Sequence, residues 1–391
     1  MHVRKAALAA LLTLSSGFLP SAFAASAPGD PAPADVADAR IESLIARMTV
    51  EEKAGQLSLY GPADINIPNN PQAAWRNGQQ ETADVRAGRL TGLFNNAGLE
   101  GKLRLQQIAV RESRLGIPLI FGADVIHGFR TIFPMPLAEA SSWEPALAER
   151  TTRAAAVEAT ADGFRWTFAP MVDIARDARW GRGLEGVGED PYLARQFASA
   201  RVRGFQGSKL SNADSMLATP KHFAAYGAAE GGLDYNASDI SEHTLREVYL
   251  PPFRAAIDAG ALSVMSGFNE IGGIPSTANR ALLTGVLRDE WKFKGFVVSD
   301  YTADEELIEH GYAANSREAA KQAFMAGTDV SMQSGIYVRH LPDLVASGEV
   351  PMARLDEAVR RVLHVKQKLG LFDDPFRNLD GPPAAQRAEN P

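Results

Sequence analysis

Cysteine is absent from the 391-residue chain. Disulfides, thiolate metal sites and cysteine nucleophiles are thereby excluded. An excess of basic charge is also lacking: 40 Lys and Arg stand against 47 Asp and Glu, a net charge of −7. A nucleic-acid partner needs clustered cations, and none is expected. The seven His are scattered, with no His-Glu-x-x-His and no close pair, so no metal site is expected. There is no Gly-x-Ser-x-Gly elbow for a serine nucleophile. Past the N-terminus no apolar run approaches the ~20 residues a bilayer span needs, and no stable membrane insertion is expected. What remains is an ordinary globular composition, 45% hydrophobic and 22% charged, with material for a large core.

The N-terminus carries an address. His2, Arg4 and Lys5 precede an apolar stretch over 6–19, and Ala22-Phe23-Ala24 has the small-residue spacing read by signal peptidase. Residues 1–24 are expected to be a secretory leader cut after Ala24, which places the mature protein in the periplasm or outside the cell. The rival, a membrane anchor, needs a longer apolar stretch. Residues 25–35, rich in Ala and Pro, read as a spacer. Val36, Ile41, Leu44, Ile45 and Met48 then recur at helical spacing. Thr49 followed by Glu52 is a capping-box signal.

The body alternates between short apolar runs and long helical stretches. Strands are expected over 55–59, 90–94, 118–124, 165–173, 216–222, 261–268, 295–300 and 328–332. Helices are expected over 144–160, 191–205, 242–259, 280–291, 317–326 and 352–369. Alternating elements imply a parallel sheet. Eight strands in one stretch favour a TIM-type (β/α)8 barrel with outer helices, set here at residues 36–373, over an open doubly wound sheet. Residues 374–391 are left as a tail or linker.

A barrel carries its active site at the C-terminal ends of its strands. The polar residues there are Asp124, Asp173, Lys221, His222 and Asp300. A lone Asp after a strand is more often a helix cap than a catalyst, and a lone His is usually packed and satisfied. Several converging on one mouth suit a sugar, whose hydroxyls need donors and acceptors in fixed directions. Glycosidic cleavage usually needs two carboxyl groups, one nucleophile or base and one acid. Asp300, ending Phe296-Val297-Val298 and followed by Tyr301, is the better nucleophile candidate. The Gly- and Arg-rich loop 176–191 mixes Arg with Asp and Glu, which predicts internal ion pairs, with one Arg left to face a ligand. A phosphate loop is the weaker reading, because no Gly-Lys-Ser/Thr is present.

The motifs Asp124-Val-Ile-His-Gly, Pro170-Met-Val-Asp, Asp177-Ala-Arg-Trp-Gly-Arg182, Glu189-Asp-Pro-Tyr, Lys221-His-Phe-Ala-Ala-Tyr-Gly and Lys294-Gly-Phe-Val-Val-Ser-Asp300 occur in this order. In this the chain resembles the N-terminal barrel domain of family 3 glycoside hydrolases, the bacterial periplasmic β-glucosidases above all, from about Ile41 to Phe372. The resemblance implies that Asp300 forms a covalent glycosyl-enzyme. It implies that Asp124, Arg182, Lys221 and His222 bind hydroxyls in subsite −1. Met265 and Phe268 would line the same pocket, Phe268 without the hydroxyl of the Tyr that many relatives carry there, and Tyr301 would border the leaving-group side.

The function so implied is that of a retaining, exo-acting β-glucosidase, a hydrolase of O-glycosyl bonds. Its substrate would be an oligosaccharide or an aryl or alkyl β-glucoside, and no cofactor is implied. In such relatives the general acid/base is usually a Glu from a second α/β domain after the barrel. The sequence ends at Pro391, so that domain is expected to lie outside the chain and the acid/base is unassigned. The β-N-acetylglucosaminidase branch uses a His on the loop after the Lys-His strand. The matching loop here, from Tyr226 to Tyr235, has no Asp-x-His; Glu230 and Asp239 are the carboxylates in or just after it. The alternatives are a β-N-acetylglucosaminidase or β-xylosidase of the same fold, or a sugar-binding barrel, catalytically weak for want of its acid. A non-sugar TIM-barrel enzyme is more distant.

Overall fold

The computed structural model describes residues 33–61, 78–95 and 98–380. The expected leader, most of the spacer and the end of the tail lie outside these residues. The first described helix, Pro33–Arg47, begins inside the expected spacer.

Ten strands follow in chain order: β1 (Ser58–Tyr60), β2 (Gly92–Phe94), β3 (Ile120–Ala123), β4 (Trp166–Thr167), β5 (Leu217–Ala218), β6 (Ser263–Met265), β7 (Glu270–Ile271), β8 (Ile274–Pro275), β9 (Phe296–Val298) and β10 (Ser331–Met332). All eight expected strands overlap an observed one and run longer than it. The apolar runs continue past the ladder into the strand-end loops, which are buried as well. The added pair, β7 and β8, is a small antiparallel hairpin after β6.

The remaining eight strands are parallel neighbours. One sheet has the order β10-β1-β2-β3-β4-β5, and β6 pairs with β9. Isolated parallel bridges, Phe223 to Ser266 and Val298 to Val330, join the two sheets at both edges. The ring of eight is a TIM-like barrel. Gly92 shows how close the strands approach: a Cβ there would stand 2.0 Å from the Ile120 carbonyl oxygen. Trp166, Phe168 and Phe296 fill the interior edge to face, with Trp166 5.1 Å from Phe168 and 5.3 Å from Phe296 between centroids. The barrel is therefore a packed core and not a pore.

Outer helices form where the sequence supplies starts. Pro opens the helices Pro145–Ala161, Pro191–Gln206 and Pro251–Asp258, where a missing N–H costs nothing. Thr49 and Glu52 make the reciprocal capping box expected of them. The helix expected over 242–259 is broken. Glu242–Thr244 runs into a π turn, Leu245–Tyr249, and a new helix starts at Pro251, because Pro251 and Pro252 cannot donate to the preceding turns. Leu99–Arg111, Gly78–Arg86 and Ile336–Ala346 add to the outer layer.

Two buried charges pin the structure. Lys366, fully buried, donates to Gln56 Oε1 at 2.8 Å, the Thr91 carbonyl at 2.9 Å and the Pro118 carbonyl at 2.8 Å. It ties the closing helix Met352–Lys368 to the chain entering β1, β2 and β3. Burial pushes its pKa down to about 7, while three oxygen acceptors match the three donors of an ammonium. Asp329, also fully buried, accepts from Arg288, Arg354 and Arg361 at 2.7–3.0 Å and from the Val297 N–H at 3.0 Å. Burial opposes its charge, but the three guanidinium groups outweigh burial and hold the carboxyl below its usual range. An ion cluster so buried is costly to break, on the order of 3–5 kcal/mol, and it fixes the start of β10 against three outer-layer arginines.

Candidate active site

The strand ends converge as the sequence suggested. A cavity of about 270 Å³ opens where Asp124, Lys221 and Asp300 meet, walled by Phe94, Phe168, Met265, Tyr301 and Met332. Lys221 Nζ lies 3.1 Å from Asp124 Oδ1, across the barrel mouth from after β5 to after β3. Only Asp124 and Asp300 among the described carboxyls line this cavity.

Asp300 follows β9. Its Oδ1 accepts the Tyr301 N–H at 2.6 Å, and its Oδ2 lies 3.3 Å from His222 Nε2. His222 is wholly buried. Its Nδ1 is 2.7 Å from Asp173 Oδ2, and Arg182 Nη2 is 3.0 Å from Nε2. A guanidinium can only donate, so Nε2 is the acceptor and Nδ1 carries the proton to Asp173. Burial, then Arg182 and Lys221, push the imidazole pKa well down, in keeping with this neutral tautomer. His222 thus has no proton to give Asp300, and Oδ2 accepts from no described group.

Burial raises Asp300 to about 6 against the pull of nearby cations, Lys221 first. Removing Lys221 removes that pull. Lys221→Ala is therefore expected to move the acidic limb of the kcat/KM profile from near pH 6 to higher pH. It is also expected to lose ~2–4 kcal/mol of transition-state binding, because Asp124 is left unpaired. A pH–rate profile on an aryl β-glycoside reads both effects, and a limb that stays put or moves down would contradict the placement.

The other expected residues divide. Met265 and Tyr301 line the cavity. Arg182 stands beside it, held by Glu185 at 2.8 Å and by His222, so the arginine expected to be left over for a ligand is already anchored. The loop does hold itself by ion pairs, Arg179 with Asp177 and Arg182 with Glu185. Its Gly181-Arg-Gly-Leu-Glu-Gly186 has the spacing of a dinucleotide loop, but it folds as a 3-10 turn, Gly181–Glu185, and opens no helix. Phe268 lies beyond β6 and outside the cavity, packed on Tyr235 at 4.6 Å and Tyr226 at 5.8 Å. Glu230 and Asp239 are exposed and do not line the cavity. His127 is structural, its Nδ1 2.9 Å from the Phe133 carbonyl. Among the described residues no three His, Asp or Glu side chains are grouped as a metal ion would need.

Sequence reasoning missed several members. Asp173 was visible as a strand-end carboxylate, but its part in orienting His222 needed the fold. Glu306, two residues past the buried Asp304, is raised to about 7 by burial, with Asp300 and Asp304 adding to the effect. Asn95 and Gln333 also line the cavity, and being uncharged they gave no signal.

The Glycosyl hydrolase family 3 N terminal domain matches residues 49–365. A periplasmic β-glucosidase of Salmonella typhimurium is 44% identical over 342 residues, which is 88% of this chain and 43% of that protein. A β-xylosidase of Formosa agariphila is 37% identical over 311 residues, 74% of this chain and 43% of that one. The β-glucosidase of Listeria innocua, solved in complex with isofagomine, superposes with a TM-score of 0.82 at 40% identity, over 88% of this chain and 48% of that one. The chain spans less than half the length of these relatives. A domain match over most of the chain, with identities of this order, leaves one conclusion: the chain belongs to glycosyl hydrolase family 3 and carries that family's N-terminal domain.

Proposed function

We propose that residues 36–373 form the catalytic barrel of a retaining, exo-acting β-glucosidase that works in the periplasm or outside the cell. The single observation that carries this reading is the cavity itself, in which a buried carboxylate with one free oxygen faces an Asp–Lys pair. Asp300 Oδ2 attacks the anomeric carbon and forms a glycosyl-enzyme as the aglycone leaves. Water then releases the sugar with net retention. Asp124 and Lys221 bind hydroxyls of the terminal glucose in subsite −1, Arg182 adds the N–H groups that Glu185 and His222 do not use, and His222 holds Arg182 in place. Asp173 holds the His222 ring. The β-glucosidases among the relatives, one of them periplasmic, support the sugar and the compartment. The leader over 1–24 supports export, and a domain beyond the chain would supply the acid/base. Among the described residues no helix is long and apolar enough to cross a membrane.

The β-xylosidase relative supports a second reading, in which the sugar lacks a hydroxymethyl group. A panel of 4-nitrophenyl β-glycosides separates the two, with the anomer of the first-formed sugar followed by proton NMR. The expected result is preference for the glucoside with β-glucose formed first. Preference for the xyloside or the N-acetylglucosaminide, or α-glucose formed first, would overturn the proposal.

A further inference from the structure

We propose that a cleft at the N-terminal end of the barrel binds a small organic polyanion, a molecule with two or more phosphate, sulfate or carboxylate groups on an apolar body. The inference is independent of the glycosidase reading, because the cleft shares no lining residue with the cavity at Asp300.

The cleft lies where the chain enters β6 and β9. Leu262 precedes β6, Phe293 and Lys294 precede β9, and the closing helix Met352–Lys368 forms another wall. The barrel strands are parallel, so this is the end opposite Asp300, which follows β9. The volume is about 580 Å³, against about 270 Å³ at the mouth, and lies in the range of small-molecule sites. Glu357, Arg360, Arg361, His364, Val365 and Lys368 recur at three- and four-residue spacing, so one face of the closing helix turns into it.

The lining is cationic, in a chain whose net charge is −7. Three lysines and three arginines stand against two acids, Asp289 and Glu357. The arginines are already paired. Arg288 and Arg361 reach Asp329 at 2.7 and 2.8 Å, Arg361 also holds Glu357, and Arg360 holds Glu42. Lys292, Lys294 and Lys368 are exposed, and among the described residues no carboxylate pairs with any of them. Burial pushes Arg288 down to about 10 in spite of Asp329, and Arg361 and Arg354 add to the lowering. Positive charge is thus crowded here and incompletely relieved.

The ligand class follows from the two kinds of lining. An ammonium is a point donor suited to phosphate, sulfate or carboxylate. The free lysines stand on two segments, the loop before β9 and the end of the closing helix, so separated acidic groups reach both. Leu262, Phe293 and Val365 add apolar surface that a bare inorganic ion would leave wet and an organic body covers.

The test is calorimetric titration of the whole chain with benzene-1,3,5-tricarboxylate at pH 7 and low ionic strength. Saturable binding, weakened by added salt, is expected. Benzoate has the ring with one charge, citrate has three charges without the ring, and both are expected to bind more weakly. Lys292→Gln, Lys294→Gln and Lys368→Gln should each weaken binding about two- to fivefold, the range of an exposed ion pair, and the triple variant at least about tenfold. Lys321→Gln should leave it unchanged, since Lys321 pairs with Glu349 at 2.8 Å outside the cleft. Melting curves without the probe check that each variant folds, and the single variants carry the test if the triple one does not. A parent that does not bind, or lysine variants that bind as the parent does, overturns the site. Benzoate or citrate binding as tightly as the tricarboxylate overturns the ligand class. Sedimentation with phosphatidylglycerol vesicles adds one more arm: vesicle binding without saturable tricarboxylate binding would give the cleft to a lipid surface and overturn the small ligand.

Discussion

Asp300→Asn is expected to fold as the parent does and to lose at least ~10³ of kcat, because no other group stands in for the nucleophile. The side chain is only 13% exposed and its Oδ1 accepts the Tyr301 N–H. An amide oxygen can accept the same bond. The carboxyl is raised to about 6 in the folded protein, above its value in the unfolded chain. Its ionised form therefore opposes folding at neutral pH, and the penalty fades as pH falls through 6. The neutral amide removes it, so the melting temperature of the variant at pH 7 should match or exceed that of the parent. Loss of activity with loss of fold would be a different result. A 2-fluoro glucoside should trap its adduct on Asp300 of the parent, and mass mapping of the adduct to Asp124 or Glu306 would move the nucleophile.

Much of this was legible in the chain because barrels write themselves in short apolar runs that end in polar residues. Val297-Val298-Ser299-Asp300 and Thr219-Pro220-Lys221-His222 announced both the strands and the chemistry at their ends. The outer helices were legible from their helical spacing, and the one expected over 242–259 was misread where two prolines stand together at 251 and 252. What stayed hidden depends on contacts between distant positions. Asp329 gathers arginines from 288, 354 and 361, and nothing in the local pattern sets it apart from a helix cap. Arg182 was visible as a candidate, but that Glu185 and His222 hold it was not. Gln333 and Asn95 are uncharged, and each points as it does because one backbone N–H captures its oxygen. A two-residue strand such as β7 carries no periodicity to read.

The largest contrast between substrates is expected from the leaving group. Retaining hydrolysis needs a proton on the departing oxygen unless that oxygen leaves readily as an anion. Of the described carboxyls lining the cavity, Asp300 is the proposed nucleophile and Asp124 is paired with Lys221. Glu230 and Asp239 are exposed on their loop, and Asp234 is engaged by the Trp180 indole at 2.8 Å. General acid help is worth ~10²–10⁴. This 391-residue chain is therefore expected to cleave 4-nitrophenyl β-glucoside slowly and cellobiose at least ~10² less well, since nitrophenolate leaves without a proton and a sugar alkoxide does not. The group that gives that proton would also serve as base for water in the second step. Azide attacks the glycosyl-enzyme without a base, so it should speed turnover of the nitrophenyl substrate and yield β-glucosyl azide. Glu306, half-buried and raised to about 7, is with Asp173 one of two carboxyls near the site that burial pushes that high, and Asp173 is engaged by His222. Efficient cellobiose cleavage without azide, abolished in Glu306→Gln, would place the acid there and show that the barrel needs no proton from outside.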